Sequence, residues 1–259
     1  MITGESRFME PLLLAGRIIM ENGGETYRVE ETITRMGQAF GLTDVESFAV
    51  PSGVFVSYKK SNGETETSVL RVRARATNLR RVDEVNSVSR RVGSGEMTCE
   101  EAVVRLREIM QLPGVVPPVW LPFAAAVSAG GFSLLFGGGM VDFVLSGAVT
   151  LLVQLASMLL GRIRIESLVN TLVASFLATF IPLMLHAFTS LGVTDAIIAG
   201  ALMPMLPGLA MTNAVQDTVR GDILSGMSHG IQALFTAGVV AGGALMASAL
   251  FYLMMGGGV

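Results

Sequence analysis

The spacing of apolar and polar positions changes character twice along this chain of 259 residues. From Leu12 to Leu42 it has helical period. Leu12, Leu13, Gly16, Ile19 and Met20 form one stripe, Asn22-Gly23-Gly24 breaks it, and Val29, Ile33, Met36 and Phe40 form the next, ending at Gly41. The stretches VESFAV, SGVFVSYKK and ETETSVLRVRA then alternate or run β-branched. Turns at Pro51-Ser52-Gly53 and Ser61-Asn62-Gly63 separate them, so three strands are predicted, the last two as a hairpin. Leu79, Val82, Val85, Val88 and Val92 restore helical period. Thr98 with Glu101 reads as a capping box opening a further helix, whose apolar face is Ala102, Val103, Leu106, Ile109 and Met110.

From Pro113 onward the pattern is nearly all apolar. Five segments have about the 20 residues a bilayer requires: 116–136, 141–160, 168–187, 194–211 and 228–254. Gly130-Gly131, Gly137-Gly138-Gly139 and Gly242-Gly243 suit close helix packing in lipid. The predicted fold is therefore a small α+β cytoplasmic domain, residues 1–112, followed by an all-α membrane domain of five transmembrane helices, residues 113–259.

Charge sharpens this division. Residues 1–112 carry 15 Lys/Arg and 16 Asp/Glu, whereas residues 113–259 carry only Arg162, Arg164 and Arg220 with five acids. Mean hydropathy is +0.59. The net charge of −3 argues against nucleic acid as a partner. Cys99 is the single cysteine, so no intrachain disulfide is predicted. The opening MITGESRFMEP lacks a signal-peptide pattern. Arg162, Arg164 and Arg220 fall in alternate loops, whereas FGGGMVD and HAFTSLGVTD hold no Lys or Arg. The positive-inside rule then places the N-terminal domain in the cytoplasm and Val259 outside the cell membrane.

Candidate chemistry gathers in PMLPGLAMTNAVQDTVRGDILSG, residues 204–226. Pro204, Pro207 and Gly208 break a helix inside the apolar half, and such breaks line cavities or bind solutes in transporters. Thr212, Asn213 and Asp217 follow, with Asn213 and Asp217 four apart on one helical face. A Pro-Gly stop before a polar loop obeying the positive-inside rule accounts for the same residues without a site. Ser228, His229 and Gln232, with Gln154 and Asn170 in their own spans, are either cavity-lining or helix–helix bonding groups. Asn22–Glu31, NGGETYRVEE, offers carboxylates near Arg28 and Tyr27 for acid–base work. Nothing there converges on a nucleophile or metal, so the spacing favours a glycine turn feeding a helix whose first acids suit its dipole. Arg71, Arg73 and Arg75 fall on one face of their strand, a solvated face or an anion-binding one. No zinc pattern, phosphate loop or hydrolase elbow occurs, and no cofactor is predicted.

Three stretches resemble the threonine/serine exporter family, especially its YjjP-like branch: AGRIIMENGGETYRVEETITRMGQAFGL, the block VPSGVFVSY…VLRVRARATNLRRVDEVN, and MLPGLAMTNAVQDTVRGDILSGMSHGIQAL. The resemblance implies a cytoplasmic domain before five membrane helices, and export of threonine and serine or of succinate-type dicarboxylates. The chain stops at GGGV after its fifth span, where longer members carry a fused second half. A separate small YjjB-like membrane subunit, and hence a hetero-oligomer, is implied. Gly24 departs from the family, which carries a small residue, often Ala, there; the change is expected to matter little. On this reading Pro207, Gly208, Thr212, Asn213, Asn170 and Gln232 are candidates for substrate binding. Asp217, Asp222 and His229 are candidates for proton coupling or gating, with Arg220 as their charge partner. The competing readings are a membrane-tethered, hydrolase-like enzyme and a ligand sensor acting through the N-terminal domain.

Overall fold

The computed structural model describes residues 6–73, 76–162 and 166–256. Met1–Glu5 of the opening stretch, Ala74 and Arg75 of the third predicted strand, Arg164, and Gly257, Gly258 and Val259 at the end lie outside the described residues. The chain forms two compact units. The first is Met1–Val115 with Leu209–Ile231, and the second is Val116–Gly208 with Gln232–Val259.

In the first unit, α1 (Met9–Glu21) and α2 (Thr26–Ala39) bury the stripes seen in the sequence. Gly16 sets their spacing, since an added Cβ would stand 3.3 Å from both Ile33 and Val29. Strands β1 (Thr43–Val50), β2 (Gly53–Lys59) and β3 (Thr65–Arg71) form an antiparallel sheet in sequence order. The turn between β2 and β3 uses Gly63 at φ +85°, and Asn62 Oδ1 accepts the Glu64 N–H. β3 ends at Arg71, so Arg73 lies beyond the strand instead of sharing its face with Arg71 as predicted, and Arg75 lies outside the described residues. Helices α3 (Leu79–Gly93) and α4 (Cys99–Gln111) follow. The capping box opens α4 as predicted, with Thr98 and Glu101 bonding each other's backbone amides. Ile18, Ile19, Val29, Ile33, Met36, Val54, Val56, Tyr58, Leu106 and Ile109 make one continuous core.

In the second unit, a short 3-10 turn (Pro118–Trp120) leads into α5 (Leu121–Leu135), then α6 (Met140–Arg162) and α7 (Ser167–Thr189). α8 (Thr194–Leu202) runs into a 3-10 turn (Met203–Met205). The chain is extended at Leu206 and becomes helical again as α9 (Gly208–Val219); α10 (Ile223–Met254) follows. Small residues let these helices touch. A Cβ on Gly200 would stand 2.5 Å from the Ala129 carbonyl and 2.6 Å from Ser146 Oγ, and one on Gly243 would stand 2.6 Å from the Leu172 carbonyl. Val149, Val153, Ala174, Ala178, Ile197 and Ala201 form a thin core, while Leu135, Val144, Leu159, Phe235 and Leu245 are exposed. That inversion is what a lipid solvent favours.

Among the described residues, four helical stretches are long and apolar enough to cross a membrane: Pro118–Leu135, Met140–Arg162, Ser167–Thr189 and Ile223–Met254. A fifth is counted only if Thr194–Met205 and Gly208–Val219 make one broken span. The predicted span 194–211 is thus interrupted where Pro207 lacks an amide donor. Residues 209–231, which the sequence pattern assigns to the membrane half, pack with the N-terminal unit instead.

Candidate functional site

The site is built on the turn between α1 and α2. Gly23 takes φ +86°, open to glycine at little cost. Gly24 has no room for a side chain, because a Cβ would lie 2.4 Å from Ile19 Cγ2 and 3.1 Å from the Ile19 carbonyl. A side chain at this position would have to displace Ile19, so the residue here matters, contrary to the sequence expectation. Asn22 Nδ2 donates to the Ile18 carbonyl at 2.7 Å, and the Asn78 N–H donates to the Asn22 carbonyl. Arg81 reaches Asn22 Oδ1 at 3.4 Å while its Nη2 donates to the Leu112 carbonyl at 2.6 Å. The turn is held from several sides before α2 begins.

Thr26 opens α2 and is fully buried. Its hydroxyl stands 2.9 Å from Asp217 Oδ1 and 2.9 Å from Asp222 Oδ2. Asp217 is also fully buried, and its Oδ2 lies 2.9 Å from His229 Nδ1. Asp222 Oδ1 accepts the Ser225 N–H at 3.3 Å, which caps α10. Ser225 Oγ donates to the Ala49 carbonyl, and the Ala49 N–H donates to Glu30 Oε1 at 2.9 Å. One polar chain therefore joins α2, the end of β1, α9 and α10.

The local backbone explains why Asp217 and Asp222 meet. Gly221 at φ +90° turns α9 into α10, and the Asp222 N–H donates to the Asp217 carbonyl. Gly226 lies against α9, so that a Cβ there would stand 3.0 Å from the Ala214 carbonyl. Leu209, Asn213 and Asp217 recur every four residues and share one face of α9. Leu209 sits against Gly23 and Asp217 against Thr26, so Asn213 faces the same turn. Asn213 is 4% exposed.

Charge flanks this chain. Arg220 lies 3.5 Å above the centre of the Tyr27 ring. Arg28 donates to Glu25 at 2.8 Å and to the Tyr27 hydroxyl at 3.2 Å. Burial opposes ionisation of Glu25. The Arg28 hydrogen bond, its own backbone amide and the fields of Arg28 and Arg220 outweigh that and hold its carboxyl below the usual range. Burial pushes Glu30 up. The Ala49 N–H opposes this, and the charges of Asp222 and Asp217 reinforce it.

Asp217, Asp222 and His229 thus come together, with Arg220 at their edge and Asn213 one turn away. Thr212 is exposed on α9. Asn170, Pro207, Gly208 and Gln232 belong to the second unit. There Asn170 Oδ1 on α7 is buried without a hydrogen-bond partner, Pro207 and Gly208 form the helix break, and Gln232 is exposed on α10. Thr26, Tyr27, Glu30 and Ser225 are site residues the sequence reasoning did not assign. Thr26 had a signal: extending the stripe Met36, Ile33, Val29 back one turn lands on it, a polar residue at a core position. Among the described residues no group of three His, Cys, Asp or Glu is arranged to hold a metal ion.

Comparison with known proteins bears on this arrangement. The chain is 26% identical over 228 residues to a Mycobacterium tuberculosis protein named "Probable threonine/serine exporter", covering 87% of this chain and 43% of that one. The chain therefore spans less than half the length of that relative. It is 26% identical to the Klebsiella aerogenes protein named "Probable succinate transporter subunit YjjP", covering 82% of this chain and 81% of that one. For the Escherichia coli protein of the same name the identity is 25%, covering 83% of each. No solved structure matches the chain. The family model described as "Putative threonine/serine exporter" matches residues 10–251, so the site sits wholly within the matched region and the chain belongs to the threonine/serine exporter family.

Proposed function

We propose that this chain is a multi-pass membrane subunit of an exporter of small polar metabolites, either threonine and serine or a C4-dicarboxylate such as succinate. It acts as a secondary transporter driven by protons, in a hetero-oligomer with a small YjjB-like membrane subunit. The observation that carries this is fully buried Asp217, bonded to His229 and Thr26 and linked through Thr26 to Asp222. A buried acid among proton-bearing side chains is the arrangement proton-driven transporters use for coupling. The transport names of the relatives favour this over a membrane-tethered enzyme or a ligand sensor.

In this reading Asp217, Asp222 and His229 carry the proton. Thr212 and Asn213 contact substrate, as do Asn170, Gln232 and the backbone bared at Pro207-Gly208. The acids Asp217, Asp222, Glu25 and Glu30 outnumber Arg28 and Arg220 around Thr26, which favours a zwitterion over a dianion. The family and its four or five apolar segments support a cell-membrane protein. The placement of Arg162 and Arg220 supports an N-terminal domain in the cytoplasm of an inner membrane, with the C-terminus outside.

The test is counterflow in vesicles holding this chain with its small partner, using labelled threonine and labelled succinate. Exchange of one only assigns the substrate. Exchange of neither by an assembled complex refutes the exporter reading.

A further inference from the structure

Thr26 presents one hydrogen to two carboxylates. Its hydroxyl oxygen lies 2.9 Å from an oxygen of each, and a hydroxyl donates once while accepting through its lone pairs. Both contacts are hydrogen bonds only when one carboxyl is protonated and donates back to Thr26. The other oxygens are already engaged, Asp217 Oδ2 by His229 and Asp222 Oδ1 by the Ser225 N–H. We infer that Asp217, Thr26 and Asp222 together bind one exchangeable proton, and that this proton latches the helical hairpin of Leu209–Ile231 onto the N-terminal domain. Its role in transport rests on the exporter reading above; its geometry does not.

The other charged groups facing the latch are Glu25, Arg28 and Glu30 from α2 and Arg220 from the turn after α9; the His229 imidazole faces it from α10 and is engaged by Asp217 Oδ2. Glu25 and Arg28 pair with each other and Arg220 stacks on Tyr27. Glu30 is occupied by the Ala49 amide. None of these replaces the missing hydrogen. When the proton leaves, two like charges share one hydroxyl, one bond is lost, and Ser225 on Ala49 remains as the weaker tie.

Thr26 is thus a positioning residue contributed by the segment whose sequence reads as a plain helix start. The test is hydrogen exchange on the purified full chain, without substrate, reading amides in residues 26–30 and 222–226 across pH. After correction for intrinsic exchange, protection is expected to be constant in acid and to fall about tenfold per pH unit above a midpoint, the slope of one linked proton. Asp222→Asn, whose amide donates to Thr26 permanently, is expected to stay protected at every pH. Thr26→Val is expected to be unprotected at every pH, and Thr26→Ser to keep the step. A flat wild-type profile, or a wild-type step retained by Asp222→Asn or by Thr26→Val, overturns the latch. A step with no counterflow of any substrate leaves the latch standing and refutes the exporter reading instead.

Discussion

Each unit holds one deeply buried aspartate, and the two are partnered in opposite ways. Asp142 in the second unit is 3% exposed. Its Oδ2 accepts the Gly139 N–H at 2.6 Å and its Oδ1 accepts the Val193 N–H at 2.7 Å. These donors are backbone amides, which do not ionise in the ordinary pH range and so cannot relay a proton. The carboxylate ties the loop before α6 to the loop before α8, and Gly192 lies so close that a Cβ there would stand 2.3 Å from Asp142 Oδ1. Asp217 in the first unit is bonded instead to a hydroxyl and an imidazole, groups that exchange protons. Burial alone does not mark a functional acid; the chemistry of its partners separates a fastener from a relay.

The sharpest way to break this comparison is Asp217→Asn. Counterflow is expected to drop to background while the protein still assembles by size-exclusion chromatography. Normal transport would put both aspartates in one class. Asp142→Ala comes next in size. It strands two N–H donors, each worth about 1–3 kcal/mol when left unsatisfied. Thermal denaturation of the solubilised chain is expected at clearly lower temperature, with the pH profile of the surviving transport unchanged. A shifted pH profile would make Asp142 part of the relay.

The two acids also differ in how far the sequence announces them. Asp142 follows FGGG at a helix start, where a carboxylate suits the dipole and the free amides. Its second partner, Val193, lies 51 positions away and has no local signature. The stripes of α1 and α2, the hairpin at Ser61-Asn62-Gly63 and the Thr98 cap are legible because each is set within a few residues. The break at Pro207 is legible for the same reason. That Asp217 closes on Thr26 across 191 positions is not, since no periodicity encodes which distant surface a polar helix face meets. Asp217, Asp222, His229 and Arg220 were therefore visible as one group and Tyr27 and Glu30 as part of another, whereas the meeting of the two groups through Thr26 and Ser225 was hidden.

Glu30 offers a milder test of the relay side. Its carboxyl sits above its ordinary value of 4.5, first through burial, with the Ala49 amide opposing and Asp222 and Asp217 adding. An acid raised in the folded state binds protons more tightly there than when unfolded. Its contribution is complete at low pH and is lost as pH rises from about the unfolded value through the folded one. Glu30→Gln keeps an acceptor for Ala49 and cannot titrate. The variant and the wild type are expected to match in stability below pH 4 and to separate in the variant's favour above it, by a small amount because Glu30 is half-exposed. Equal pH dependence in chemical denaturation would mean that burial, with the two aspartates, does not raise the Glu30 carboxyl.

The smallest expected effect concerns how the charge at the edge of the site is aimed. Arg220 is exposed, yet its guanidinium carbon lies 3.5 Å from the centre of the Tyr27 ring, where a planar cation is favoured over the point charge of lysine. If the stack holds the cation ready for a substrate carboxylate, Arg220→Lys keeps the charge and loses the aim. The cation–π contribution at an exposed site is about 0.5–1 kcal/mol, so a KM rise of about two- to fivefold is expected, with the maximal rate unchanged. Tyr27→Ala is expected to give the same rise by removing the platform, whereas Tyr27→Phe keeps the ring and stays near wild type. Equal rises in Arg220→Lys and Tyr27→Ala, with none in the double variant beyond either alone, show that one stacked unit is being read. Wild-type KM in both would reduce Arg220 to a topology signal, and the relay would then act through Asp217 and its proton-bearing partners without a fixed cation beside them.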